Sequence, residues 1–169
     1  MIYLVPQTHP DLDDQIKAWG CYFRSLQAHA ERATRKYLTP YQINELYKKA
    51  QKPIKIWDGS LSAPMNEKCF VRHPEKIIQQ AFLELGFPYL GALQIGTNKN
   101  TGANKSPTFW DSVIKKKDYH YDFQIQWWSD GLKYSHATLA DDRGAVVFNP
   151  DPSLELKGMA TVELWQRSE

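Results

Sequence analysis

The apolar residues of this chain change their spacing once, near Gly86, and that change limits the fold more than any other feature. Before it, large apolar side chains recur every three or four residues. After it, they alternate with polar ones. Phe23, Leu26, Ala30, Ala33 and Tyr37 form one stripe, so the spacing predicts a helix over 20–38. Pro40 stops it by disfavouring helical geometry at Thr39. Thr39-Pro40-Tyr41-Gln42 has the form of a capping box with proline at the first helical position, and opens a second helix bearing Ile43, Leu46, Tyr47 and Ala50. Residues 52–72 read as irregular, with a short strand at 54–57. Ile77, Ile78, Ala81, Phe82 and Leu85 place a third helix over 74–85, with Gly86 suited to a left-handed stop.

In the second half, 89–95, 119–127, 133–140, 145–149 and 161–165 read as strands, with turns at "SDG" and "DDRG". Residues 97–105 read as a polar loop, and Ser106-Pro107 caps a short helix to about Lys116. Helices first and antiparallel strands afterwards predict an α+β fold, with N-terminal helices packed on a C-terminal antiparallel sheet. The expected organisation is one domain over 1–169: an extended arm at 1–14, a mainly helical half at 15–88 and a mainly β half at 89–169.

Length and charge narrow the function classes. A chain of 169 residues with 42% hydrophobic content supports one packed core. The 21 basic and 19 acidic residues leave a net charge of +2, which is no footprint for nucleic acid. The lysines at 115–117 read as a solvated helix end. No apolar run is long enough for a bilayer, and the apolar N-terminal stretch is short with no basic residue before it, so a cytoplasmic protein without membrane contact is expected. In such a chain the two cysteines, Cys21 and Cys69, are expected as reduced thiols. His120 with Asp122, and Cys69 with His73, have ligand-type spacing but lack third and fourth partners, so no metal is expected. No glycine-rich phosphate loop is present, and no cofactor is expected.

What chemistry the chain carries turns on Cys21. It follows Trp19-Gly20 at the expected start of a helix, where backbone N–H groups and the helix dipole favour a thiolate. A small buried apolar group is the other reading of the same position. Gln15, six residues earlier, has an amide able to donate to an oxyanion beside the Cys21 N–H; a solvated polar side chain is its plain alternative. A base is offered by the hairpin "YSHATLADDRGAVVFNPDP". A tight turn centred on Asp142-Arg143 sets His136 directly opposite Asn149 on one sheet face. The Asn149 amide oxygen then accepts from one ring nitrogen, and the other faces the thiol. Asp151, two residues on, takes the orienting role if the register slips.

Gln15, the "WGC" ending at Cys21, "SHAT" around His136 and "FNPDP" with Asn149 and Asp151 together resemble the papain-like cysteine peptidase superfamily. Within it they are most similar to the bacterial double-glycine leader peptidases and their stand-alone relatives. The resemblance covers 13–38 and 132–152. It implies a papain-like fold and a bacterial or phage thiol hydrolase. Cys21 attacks a peptide, isopeptide or related amide, His136 is the base, Asn149 or Asp151 orients it, and Gln15 completes the oxyanion hole. The chain departs from the pattern in carrying Tyr22 after the nucleophile, Ser135 before the histidine and two candidates for the third position. Tyr22 and the tryptophan content also fit a non-catalytic module of the same fold that binds a protein or peptide in an aromatic cleft.

Overall fold

The computed structural model describes residues 3–99, 120–129 and 135–168. Among them are four helices, α1 (Asp14–Trp19), α2 (Cys21–Thr34), α3 (Pro40–Ala50) and α4 (Pro74–Glu84). The strands are β1 (Ile54–Lys55), β2 (Leu61–Ser62), β3 (Gly91–Lys99), β4 (Phe123–Ser129), β5 (Ser135–Ala140), β6 (Val146–Phe148) and β7 (Met159–Ser168). β1 and β2 make a small hairpin, and the other five form a sheet in the order β3-β7-β4-β5-β6 with every neighbour antiparallel. The class is therefore α+β.

Local chemistry explains most element ends. Both halves of the expected capping box are made: Gln42 N–H donates to Thr39 Oγ1 at 3.2 Å, and Thr39 N–H donates to Gln42 Oε1 at 2.9 Å. Gly86, at φ 93, ends α4 in the left-handed region. The expected helix over 20–38 starts as expected at the Gly20 cap but ends early, and a further helix stands before it. α1 precedes it, capped by Asp13 Oδ1, which accepts from Gln15 N–H at 2.9 Å. Gly20 joins the two helices, and a Cβ there would stand 2.5 Å from the Ile16 carbonyl oxygen. At the other end α2 stops at Thr34, because Arg35 turns left-handed at φ 55. That turn returns the chain so that Leu38 is buried and its N–H donates to Glu31 Oε1 at 2.8 Å.

The hairpin register is a second correction. Leu139 pairs with Phe148 and Ala140 with Val146, with an irregularity between them, so His136 is not directly opposite Asn149. The turn is wider than expected. Asp141 N–H donates to the Ala145 carbonyl at 2.9 Å, Asp141 Oδ1 accepts from the Arg143 and Ala145 amides, and Gly144 is left-handed at φ 84. The polar loop expected over 97–105 is corrected at its start, because β3 runs on to Lys99 in pairing with β7; the rest of that loop, the expected helix after Ser106 and the start of the strand at 133 lie outside the described residues.

The core sits between helices and sheet. α2 packs on α4 and β5, and α4 on β3. Phe23 and Leu26 of α2, Phe82 of α4, and Ile125, Leu139 and Trp165 of the sheet belong to one apolar cluster. Each such side chain contributes roughly 1.5–3 kcal/mol by leaving water. Tyr121, Trp128, Met159, Val162 and Leu164 form a second cluster. Trp127 and Trp128 divide between the two, as alternation on a strand requires. Gln124 and Gln126, polar members of the alternating β4, are buried. Gln124 Nε2 donates to Tyr121 Oη at 2.9 Å and Gln126 Nε2 to the Gly144 carbonyl at 2.8 Å.

One buried charge ties the N-terminal arm down. Arg24 of α2 donates to the Val5 carbonyl through Nε and Nη2 at 3.0 and 2.9 Å, to Gln27 Oε1 at 2.7 Å and to Glu31 Oε2 at 3.0 Å. Burial pushes the Glu31 carboxyl up, and the Arg24 guanidinium pulls it back down.

Candidate active site

α2 is laid along β5 by a hydrogen bond from Ser25 Oγ to the Ala137 carbonyl, 3.1 Å long. Cys21 stands one helical turn before Ser25 on the same face. Ala137 follows His136. This docking brings both side chains to one cavity of about 520 Å³, lined by Cys21, Tyr22, Trp127, His136 and Asp151 among others.

Cys21 is the first residue of α2, as the sequence implies, and is partly exposed. Burial pushes its thiol up. The backbone amides of Ala137, Tyr22 and Cys21 itself pull it down, and the nearby Asp151 charge adds to the rise. The helix-start amides thus act on the sulfur in the expected direction, but desolvation outweighs them. The resting group is a thiol, and it needs a base.

His136, 1% exposed, lines the same cavity. Its Nε2 lies 2.6 Å from Asn149 Oδ1. The Asn149 amide is oriented by its own contacts. Its Nδ2 donates to the Leu154 carbonyl at 3.5 Å, and Oδ1 also accepts from Asp151 N–H at 3.2 Å. An amide oxygen only accepts, so the ring donates to it from Nε2. The two residues meet on a diagonal across the hairpin, which reaches the expected contact through a different register. Of the two candidates for the third position, Asn149 makes the contact. Asp151 Oδ1 is taken up by the Ser153 N–H at 3.1 Å and Ser153 Oγ at 2.5 Å.

Gln15 is not among the residues lining the cavity. Its Oε1 is buried without a hydrogen-bond partner, and its carbonyl accepts a weak bond from Cys69 Sγ at 3.8 Å. A different glutamine is on the wall. Gln7 is 5% exposed; its N–H donates to the Pro150 carbonyl at 2.8 Å and its Nε2 to the Lys17 carbonyl at 3.1 Å. The arm therefore closes one side of the cleft, a role that no local pattern in residues 1–14 discloses. Cys69 also lines the cavity. It is buried, left-handed at φ 57, and pushed up to about 12 by burial first and by the Asp13 and Cys21 charges after it. The mouth carries the exposed rings of Trp19 and Phe70.

His73 Nε2 is bonded to Ser62 Oγ at 2.9 Å, and its Nδ1 lies 3.8 Å from Glu75. Among the described residues no group of three or more His, Cys, Asp or Glu side chains is placed to hold a metal ion, and no helix is long and apolar enough to cross a membrane. Compared with known proteins, the chain matches no family model, no curated protein and no solved structure.

Proposed function

We propose that this chain is a cysteine-dependent hydrolase of papain-like type, cleaving a peptide, isopeptide or related amide bond. The observation that carries the reading is that Cys21 and His136 line one cavity, with the His136 tautomer set by Asn149 at 2.6 Å. In this mechanism His136 Nδ1 takes the Cys21 proton as the sulfur attacks the carbonyl carbon. The oxyanion is met by the Cys21 backbone N–H, a group already directed toward the sulfur. Collapse breaks the C–N bond, and the imidazolium returns its proton to the leaving amine. Water, deprotonated by His136, then resolves the thioester and restores the thiol.

The raised thiol and the exposed aromatic mouth favour a second reading, a cleft that binds a peptide without cutting it. A peptide-based thiol electrophile separates the two. In the hydrolase, Cys21 is labelled ahead of Cys69 below about pH 7, and His136→Ala abolishes the preference. Equally slow labelling of both thiols, unchanged by His136→Ala, discards the enzymatic reading and leaves the binding one.

A further inference from the structure

A carboxylate facing the apolar side of a sheet is costly unless it is compensated. Glu163 of β7 is such a group. It stands opposite Ile125, is 7% exposed, and among the described residues has no cation within ion-pair distance. Three neutral donors surround it instead. Tyr22 Oη donates to Oε1 at 2.6 Å, Trp127 Nε1 to Oε2 at 2.5 Å and Trp165 Nε1 to Oε1 at 3.3 Å. Tyr22 and Trp127 both line the cavity, and their rings meet edge to face with centroids 4.7 Å apart. Tyr22 is the residue next to Cys21. An apolar residue at 163 would satisfy the core at lower cost but would leave both rings untethered.

We propose that Glu163 is a positioning residue: by binding Tyr22 and Trp127 together it fixes an aromatic wall beside Cys21 and so limits the size of group that reaches the sulfur from that side. The proposal deepens the hydrolase reading, because the thiol it screens is the nucleophile of that reaction. Its geometry explains the chain's departure from the papain-like pattern at Tyr22. A ring following the nucleophile is accommodated because a carboxylate 141 residues away holds it by its hydroxyl.

The test compares the wild type, Glu163→Gln and Tyr22→Phe as full chains. Glutamine removes the charge and keeps one acceptor oxygen: where that oxygen stays on Trp127 the N–H₂ meets the Tyr22 hydroxyl, which can accept, so both cavity bonds become neutral and weaker, and in the flipped amide the Trp127 bond is lost. Alkylation of Cys21 by iodoacetamide and by the much bulkier iodoacetamidofluorescein is followed by peptide mass mapping. The ratio of the two rates cancels the thiol's own reactivity. Expected is a strong wild-type preference for the small reagent, reduced about tenfold in Glu163→Gln, in line with exchanging charge-assisted hydrogen bonds for neutral ones. The Trp127 indole N–H resonance should move upfield in the same variant. A merely structural role would lower the melting temperature without changing the size preference. An unchanged ratio in a folded Glu163→Gln protein whose Trp127 resonance has moved overturns the proposal. If Glu163→Gln does not fold, Tyr22→Phe carries the same decision: a reduced ratio supports the wall and an unchanged one overturns it. The readout needs no turnover, so loss of the hydrolase reading and loss of this proposal give different results.

Discussion

Acidification should weaken this fold through one histidine well away from the proposed chemistry. His29 of α2 is 7% exposed, stacked on Phe123 with ring centroids 3.6 Å apart and edge-on to Phe82 at 5.7 Å. Its Nε2 has no hydrogen-bond partner. Burial first, then the Arg167 and Arg32 charges, lower its pKa from 6.5 to about 3. The folded value lies below the unfolded one, so the unfolded chain binds the extra proton. The resulting stability is complete above the unfolded pKa and is lost as the pH falls from 6.5 toward 3. Across that window the loss is about 2 kcal/mol by pH 5 and about 3 kcal/mol by pH 4, taking about 1.4 kcal/mol per pH unit. His29→Leu removes the titration while keeping an apolar side chain in the helix. Urea unfolding at pH 7, 6, 5 and 4 should show the wild type losing that much more stability than the variant. Parallel curves for the two proteins would refute the reasoning, since they would mean that His29 is not neutral in the fold or is not desolvated.

Two further substitutions probe the site and its support. Asn149→Ala strips the acceptor from a buried imidazole and leaves its N–H unpaired, costing about 1–3 kcal/mol. His136-dependent labelling of Cys21 by the peptide electrophile should slow roughly 5- to 100-fold with the melting temperature lowered by several degrees, and equal labelling rates would remove Asn149 from the mechanism. Arg24→Ala leaves Glu31 buried without its cation and the Val5 carbonyl without its donor. Unfolding free energy should fall by about 3–5 kcal/mol, and exchange of the Gln7 amide should quicken as the arm loosens; a loss below about 1 kcal/mol contradicts the reading.

Local signals were legible and long-range ones were not. α3 could be read because Thr39 and Gln42 cap it within four residues, and α4 because Pro74 and Gly86 punctuate it. α1 escaped because six residues hold too little period, and α2 overran because Tyr37 falls on its stripe after Arg35 has already turned the chain. Cys21, His136 and Asn149 could be marked as one candidate cluster because a helix start and one hairpin bring them into range. Glu163 could not. In "TVELW" it reads as the solvent side of an alternating strand, yet apolar clusters cover Val162 and Leu164 on one face and Trp165 on the other. The burial of a carboxylate is decided by what the sheet packs against, and no local period carries that.

The placement of β7 has a consequence for biosynthesis. This strand is the last made of the five, yet it lies in the interior of the sheet between β3 and β4. While residues 159–168 are still within the ribosome, β3 has no rung to join and the Tyr22 hydroxyl has no carboxylate to meet. A nascent chain therefore carries Cys21 and Tyr22 without the Glu163 contact, which forms only once β7 has joined the sheet.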